Sequence, residues 1–227
     1  MSLIRKIRAF IVTRLWPNSS YWLATKTTSP LSRKFGFDRG NPIDRYWIES
    51  FLSDQKRKVK GRVMEVVDST YSKKFDSGVT KFDVLDLDPK NKQANIIGNL
   101  KNLSMVKSNT YDCIILTQVL GMIDDYDSAI GECHRILKAG GYLLVTSSCF
   151  SSLSSGDITE QPYWRFTPAS GAYMMKKHFN KVEVKSYGNV LSGQCFWVGL
   201  SQEELTKEQL DYHDPLYPCL LGIVCQK

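Results

Sequence analysis

Residues able to hold a polar ligand recur in this chain at the ends of short apolar runs. Glu65-Val66-Val67-Asp68-Ser69-Thr70-Tyr71 follows the first run, and Asp83, Asp86 and Asp88 lie in or after the second. Gly98-Asn99-Leu100 and Thr117-Gln118 close the next two. Carboxylates and amides at such places accept hydrogen bonds from a ligand's hydroxyl or amino groups. Further on, Tyr163-Trp164-Arg165 offers aromatic faces for a sugar or ring, and a guanidinium for an anion. The plain alternative is a packed lid with Arg165 in an ion pair. His213, between Tyr212 and Asp214, is a candidate general base, or else a structural hydrogen-bonding residue before the last strand. Asp86 and Asp88 read as turn residues near Pro89. Asp124 and Asp125 read as caps of the helix that follows.

Missing motifs narrow the chemistry. No G-x-G-x-x-G follows the first strand, so a nicotinamide dehydrogenase has little support. Neither a phosphate loop nor a G-x-S-x-G nucleophile elbow occurs. The six cysteines include no C-x-x-C pair, so no structural metal is expected and a reducing compartment is.

The elements that must position these residues alternate in type. Apolar strands are expected at Arg62–Val67, Val79–Leu87, Ala94–Ile97, Tyr111–Leu116, Tyr142–Thr146, Val182–Tyr187 and Leu216–Gln226. A helix near Pro42 carries Ile43, Trp47, Ile48, Phe51 and Leu52. Asp125–Leu137 is a second helix, ended by Gly140 and Gly141. Thr167-Pro168 opens a third, running to about Phe179. Ser201-x-x-Glu204 predicts a capping box. Strands too apolar to face water, alternating with helices, argue for an α/β fold around a mainly parallel sheet covered on both faces. Such sheets bind ligands beyond the carboxyl ends of their strands.

With 42% hydrophobic and 23% charged residues, the 227-residue chain fits a soluble globular class. The net charge of +7 is uneven: residues 1–40 hold eight Lys/Arg and one acid, and residues 41–227 hold 22 of each sign. The expected organisation is therefore a basic N-terminal helix and linker over 1–40 and a neutral domain over 41–227. Leu3, Ile4, Ile7, Phe10, Ile11 and Leu15 fall on one helical face. A basic amphipathic helix of this kind can lie on an anionic membrane surface through residues 1–16, or pack on protein. The neutral body speaks against nucleic acid as partner. The expected location is cytoplasmic, with peripheral contact at the inner membrane face.

Several blocks, in order across residues 40–227, resemble class I S-adenosylmethionine-dependent methyltransferases, and most closely a bacterial subgroup of the type 11 kind. Asn41-Pro42-Ile43-Asp44-Arg45-Tyr46-Trp47-Ile48-Glu49 resembles the subgroup's opening helix, and Tyr111-Asp112-Cys113-Ile114-Ile115-Leu116-Thr117-Gln118 its fourth strand. Leu137-Lys138-Ala139-Gly140-Gly141 is similar to an L-K-P-G-G signature, departing from it at Ala139. Tyr163-Trp164-Arg165-Phe166-Thr167, Gly188-Asn189-Val190-Leu191 and Asp211-Tyr212-His213-Asp214-Pro215 resemble later blocks.

The resemblance implies a Rossmann-like, seven-stranded, mainly parallel sheet flanked by helices, with the last strand antiparallel. It implies S-adenosylmethionine as cofactor. Glu65 with the loop Val66, Val67 and Asp68 would hold the methionine portion, Asp83 the ribose hydroxyls, and Asn99 and Leu100 the adenine. Thr117 and Gln118 would line the transfer site. The substrate would meet Tyr163, Trp164 and Arg165, and His213 and Arg165 are the candidates for a catalytic group. The acceptor would be a small molecule or glycan, with a sugar hydroxyl the first choice. The chain departs from the family at Val67, where glycine is usual, and at Asn99, where aspartate is. Those departures motivate the alternative, a catalytically inactive methyltransferase-like domain that binds or scaffolds.

Overall fold

A computed structural model describes residues 28–153 and 162–227. The amphipathic helix expected over 3–16 lies outside the described residues. Residues 32–227 form one compact unit. Its elements run in this order: α1 (Ile43–Gln55), β1 (Gly61–Val66), α2 (Thr70–Lys74), β2 (Val79–Asp86), β3 (Ile96–Ile97), β4 (Tyr111–Thr117), α3 (Tyr126–Ile136), β5 (Leu137–Ser148), α4 (Pro168–Lys176), β6 (Lys181–Tyr187), α5 (Val190–Val198), α6 (Lys207–Asp211) and β7 (Leu220–Gln226).

The seven strands make one sheet in the order β3-β2-β1-β4-β5-β7-β6. β1 through β5 pair in parallel, and β7 runs antiparallel to both β5 and β6. This is the Rossmann-like, mainly parallel arrangement with an antiparallel last strand. Strand order reverses at β1 and β4, and such a switch point opens a crevice at the carboxyl edge.

Alternation along each strand explains why both faces must be covered. On β4, Cys113 and Ile115 point to a core with Trp47, Ile48 and Phe51 of α1 and Phe196 of α5. Ile114 and Leu116 point the other way, to Ala129, Ile130 and Cys133 of α3 and Met174 and Met175 of α4. All four strand residues are fully buried. A strand buried on both faces over Cys113–Leu116 reads as an apolar run, and this makes Tyr111–Leu116, apolar but for Asp112, legible.

Local signals set the helix starts. The Asp125 side chain accepts the Ser128 N–H at the head of α3. At α4, Thr167 and Ser170 form a reciprocal capping box and Pro168 occupies the first turn. Ser201 and Glu204 also form a box, but it caps a single 3-10 turn, Gln202–Glu204. Glu204 is held there by Arg39, which pulls its carboxyl down to about 2. That ion pair, with Ser32 N–H bonding Val198 O at 3.1 Å, fastens residues 32–40 to the body.

Two expectations change. Gly140 and Gly141 do not end α3. Leu137 already pairs with Tyr111, and the next pair is Cys113 with Tyr142, so the intervening residues bulge out of β5 with Gly140 at φ 78°. The stretch Val190–Val198, given no element from its sequence, is α5, opened by Asn189, whose side chain accepts from Leu191 N and Ser192 N.

Candidate functional site

A cavity of about 360 Å3 opens at the carboxyl edge of the sheet. Its floor is Thr117 and Gln118 at the end of β4 and Ser147 and Ser148 at the end of β5. Asp44, Arg45 and Ile48 of α1 form one wall, with Tyr71 of α2. Trp164 and Arg165 form the opposing cover, with Phe37 at the rim.

Gln118 ties the floor together. It sits in the left-handed region, φ 60°, and its side-chain oxygen accepts Ser148 N–H at 3.0 Å and Ser148 Oγ–H at 3.1 Å. Its amide nitrogen is buried and donates to no described residue. An unbonded buried donor is costly, on the order of 1–3 kcal/mol, so it suits a site where a ligand oxygen supplies the missing acceptor.

The covering segment is anchored by backbone and indole. The N–H groups of Tyr163 and Trp164 both donate to Gly121 O, at 2.8 and 3.1 Å. The Trp164 indole N–H reaches Ile123 O at 2.9 Å, and its ring meets Tyr126 edge-on at 5.5 Å. Tyr163 itself projects to solvent and is 63% exposed. Arg165 lies on the cavity with Nη2 on Ser151 Oγ at 2.6 Å and Nη1 on Trp164 O at 3.0 Å. Its Nε is buried without an acceptor among the described residues. No carboxylate stands within ion-pair distance of it among the described residues. Burial holds its pKa below the usual arginine value. A lone, half-buried guanidinium facing a cavity is a recognition element for an anion.

The loop after β1 keeps a glycine-like backbone without glycine. Val67 has φ 74°, a region in which a β-branched residue is a true outlier. Two hydrogen bonds hold it: its N–H donates to Leu85 O at 2.9 Å, and its carbonyl accepts Asn91 Nδ2–H at 2.6 Å. The side chain points outward and is 54% exposed. Valine therefore stands where glycine is usual with its backbone strained in place. Val66 packs against the core, and Asp68 accepts Thr70 N–H at 2.7 Å. Glu65 is 2% exposed, and its two oxygens accept the N–H groups of Tyr71 (3.1 Å) and Ser72 (2.8 Å). It therefore fixes the start of α2 against β1. Burial raises its pKa.

Asp83 is not at the strand end. It pairs with Met64 in the middle of β2 and is 1% exposed. Arg62 Nε–H donates to one oxygen at 2.5 Å and Asn95 Nδ2–H to the other at 2.7 Å. Burial pushes its pKa up, but those two hydrogen bonds and the Arg62 charge outweigh it, so the carboxyl lies below its usual value. Both oxygens are thereby engaged inside the protein. The carboxylate that ends β2 is Asp86, read from sequence as a turn residue. Its oxygens accept Asp88 N–H at 3.0 Å and Asn91 Nδ2–H at 2.6 Å. These bonds hold it ionised, and it remains partly open to solvent. The signal available beforehand was Pro89, which stops the strand near Asp86 and leaves Asp83 in its interior.

After β3, Asn99 is exposed, with its side-chain oxygen on Lys101 N–H at 3.0 Å. Leu100 is buried in the core beneath that loop. His213 is exposed at the far edge of the sheet, with Nε2 2.9 Å from Ser186 Oγ of β6. It does not line the cavity. The residues that sequence reasoning missed at the cavity are Asp44, Arg45 and Tyr71. Arg45 Nη1–H donates to the Tyr71 hydroxyl at 3.2 Å.

Comparison with known proteins agrees with this geometry. Residues 60–145 match the family model described as a methyltransferase domain. No curated protein matches the chain. Among solved structures, a SAM-dependent methyltransferase from Archaeoglobus fulgidus superposes with a TM-score of 0.54 at 12% identity, covering 81% of this chain and 94% of that one. An S-adenosylmethionine-dependent methyltransferase from Mesorhizobium loti gives 0.52 at 13% identity, with 78% and 95% covered. The [4+2]-cyclase SpnF gives 0.51 at 14% identity, with 88% and 97% covered. Residues 60–145 thus match a methyltransferase domain, and the sheet has the fold of class I, S-adenosylmethionine-dependent methyltransferases. The cyclase among the neighbours shows that the fold alone does not fix the reaction.

Proposed function

We propose that this chain transfers a methyl group from S-adenosylmethionine to an oxygen or nitrogen of an acceptor bound in the cavity under Trp164 and Arg165. One observation carries the reading. The buried donor Gln118 Nε2 lacks an acceptor among the described residues where the end of β4 meets a hollow of about 360 Å3, at the carboxyl edge this fold uses for its ligand.

When bound, the cofactor supplies an electrophilic methyl group on a positively charged sulfur. The chain's contribution is mostly position and exclusion of water. Asp86 takes the place first expected for Asp83 and accepts from the ribose hydroxyls. Asn99 faces the adenine amino group. The loop Val66–Asp68 lies beside the methionine portion, with Glu65 holding that loop from behind. Thr117 and Gln118 separate donor from acceptor, and Gln118 donates to a ligand oxygen.

The acceptor is read as a compound with a hydroxyl and an anionic group, a sugar derivative first. Trp164 offers a ring face, and Arg165 has no carboxylate partner among the described residues. The basic segment over 1–40 is read as holding the enzyme at an anionic surface, which co-sedimentation with anionic vesicles tests directly. If the full chain stays in the supernatant, the membrane part of this reading is lost.

Calorimetry with S-adenosylhomocysteine tests the central claim. Binding in the micromolar range is expected. No heat at millimolar ligand would remove the methyl-transfer reading and leave a binding module on the same fold.

A further inference from the structure

We propose that Asp44 is the base of the reaction, the carboxylate that takes the proton from the acceptor's hydroxyl or amine as the methyl group is transferred. This assignment rests on the methyl-transfer reading and adds to it a group that motif reasoning did not supply.

The geometry comes from α1. Asp44 is the second residue of that helix, and Ile43 and Trp47 on either side of it are sealed in the core. Asp44 itself is only partly covered and lines the cavity floored by Thr117 and Gln118. Its carboxylate meets no lysine or arginine within ion-pair distance among the described residues. Beyond the backbone amides of its own turn, no side chain among the described residues bonds it. Acids at helix N-termini are usually explained by the helix dipole, but such residues ordinarily face water. This one faces a hollow where an acceptor's proton must go.

The charged and titratable neighbours sharpen the case. From α1, Arg45 stands beside it, with one guanidinium nitrogen on Tyr71. From α2, Tyr71 lies within electrostatic reach, and burial pushes its phenol up, so it stays neutral. Arg165 lines the same cavity and has no carboxylate partner among the described residues. Burial raises Asp44 to about 6, against the pull of Arg45. A base is most effective when its pKa lies near the working pH.

The step balances without a further reagent. The acceptor's lone pair forms a bond to the methyl carbon. The bond from that carbon to sulfur breaks, and its electron pair stays on sulfur, giving S-adenosylhomocysteine. The acceptor's O–H or N–H proton passes to an Asp44 carboxylate oxygen and then to water.

The test needs no acceptor. The side-chain carboxyl signals of the 13C-aspartate-labelled full chain are titrated by NMR, and Asp44→Asn identifies the Asp44 resonance. The expected free midpoint is near 6. A base beside the transferring methyl group feels the sulfonium charge, so saturating S-adenosylmethionine should lower the midpoint by about half a unit or more, relative to the uncharged S-adenosylhomocysteine. Equal midpoints in the two complexes overturn the assignment and leave methyl transfer intact. So does a resonance titrating in the ordinary aspartate range. A chain that binds neither ligand overturns methyl transfer itself, and the assignment with it.

Discussion

The side-chain amide of Asn91 holds the carbonyl oxygen of Val67 at 2.6 Å. The same nitrogen reaches Asp86 Oδ2, also at 2.6 Å. One amide thus fixes a strained loop after β1 and the carboxylate ending β2. A valine at φ 74° costs about 1–2 kcal/mol and persists only where its surroundings over-determine it.

From this clamp follows a coupling. Asn91→Ala should destabilise the fold by about 1–2 kcal/mol. In a Val67→Gly background the same change should cost at least about 0.5 kcal/mol less, because glycine needs no clamp. Urea unfolding of the four proteins in the cycle measures this, and strict additivity would contradict it. Val67→Gly alone should also tighten S-adenosylhomocysteine binding if the valine crowds the ligand.

Asp83 and Asp86 should separate cleanly. Asp83→Asn should lower stability by about 2 kcal/mol, since it weakens the bond to Arg62. Asp86→Asn should leave stability within about 0.5 kcal/mol yet weaken S-adenosylhomocysteine roughly tenfold, as expected for a lost charge-assisted bond. Calorimetry and denaturant unfolding of both variants decide it. If Asp83→Asn loses binding with unchanged stability, the two roles are reversed.

The same pair of residues carries a pH signature. The Asp83 carboxyl is held below its unfolded value. Its contribution is therefore complete above the unfolded aspartate pKa, about 3.9. It fades as pH falls through the lower folded value. Asp83→Asn should flatten the decline of the thermal midpoint in acid. A variant with the native slope would show that Asp83 is not among the groups responsible.

Arg165 should trade stability for recognition. Arg165→Met removes a half-buried cation that has no ionic partner among the described residues. The thermal midpoint should hold, or rise by about 2–4 °C for up to about 1 kcal/mol gained. Binding of anionic acceptors should fall at least tenfold. A clear drop in midpoint would mean that the guanidinium serves the fold instead.

Much of the frame could be read from sequence because its signals are local. Tyr111–Leu116 is apolar but for Asp112, and Thr167-Pro168 is a cap whose geometry needs no distant partner. What the sequence does not reveal lies where pairing across the sheet decides. Asp83 and Asp86 both sit in one acidic, apolar run, and only the end of β2 against β1 separates an interior aspartate from a terminal one. Val190–Val198 lacks a polar stripe, with Val190 and Trp197 apolar yet exposed, so helical periodicity had nothing to mark. Asp44 reads as an ordinary first-turn acid until α1 folds back over the ends of β4 and β5. No spacing in the chain announces that contact.

The strand order has a consequence for assembly. β6 touches the rest of the sheet only through β7, which is wedged between it and β5. Without residues 220–226, β5 presents a bare edge and β6 pairs with no other strand. An incomplete molecule would therefore offer a long apolar border to any neighbour. β7 closes that seam by pairing with both strands at once.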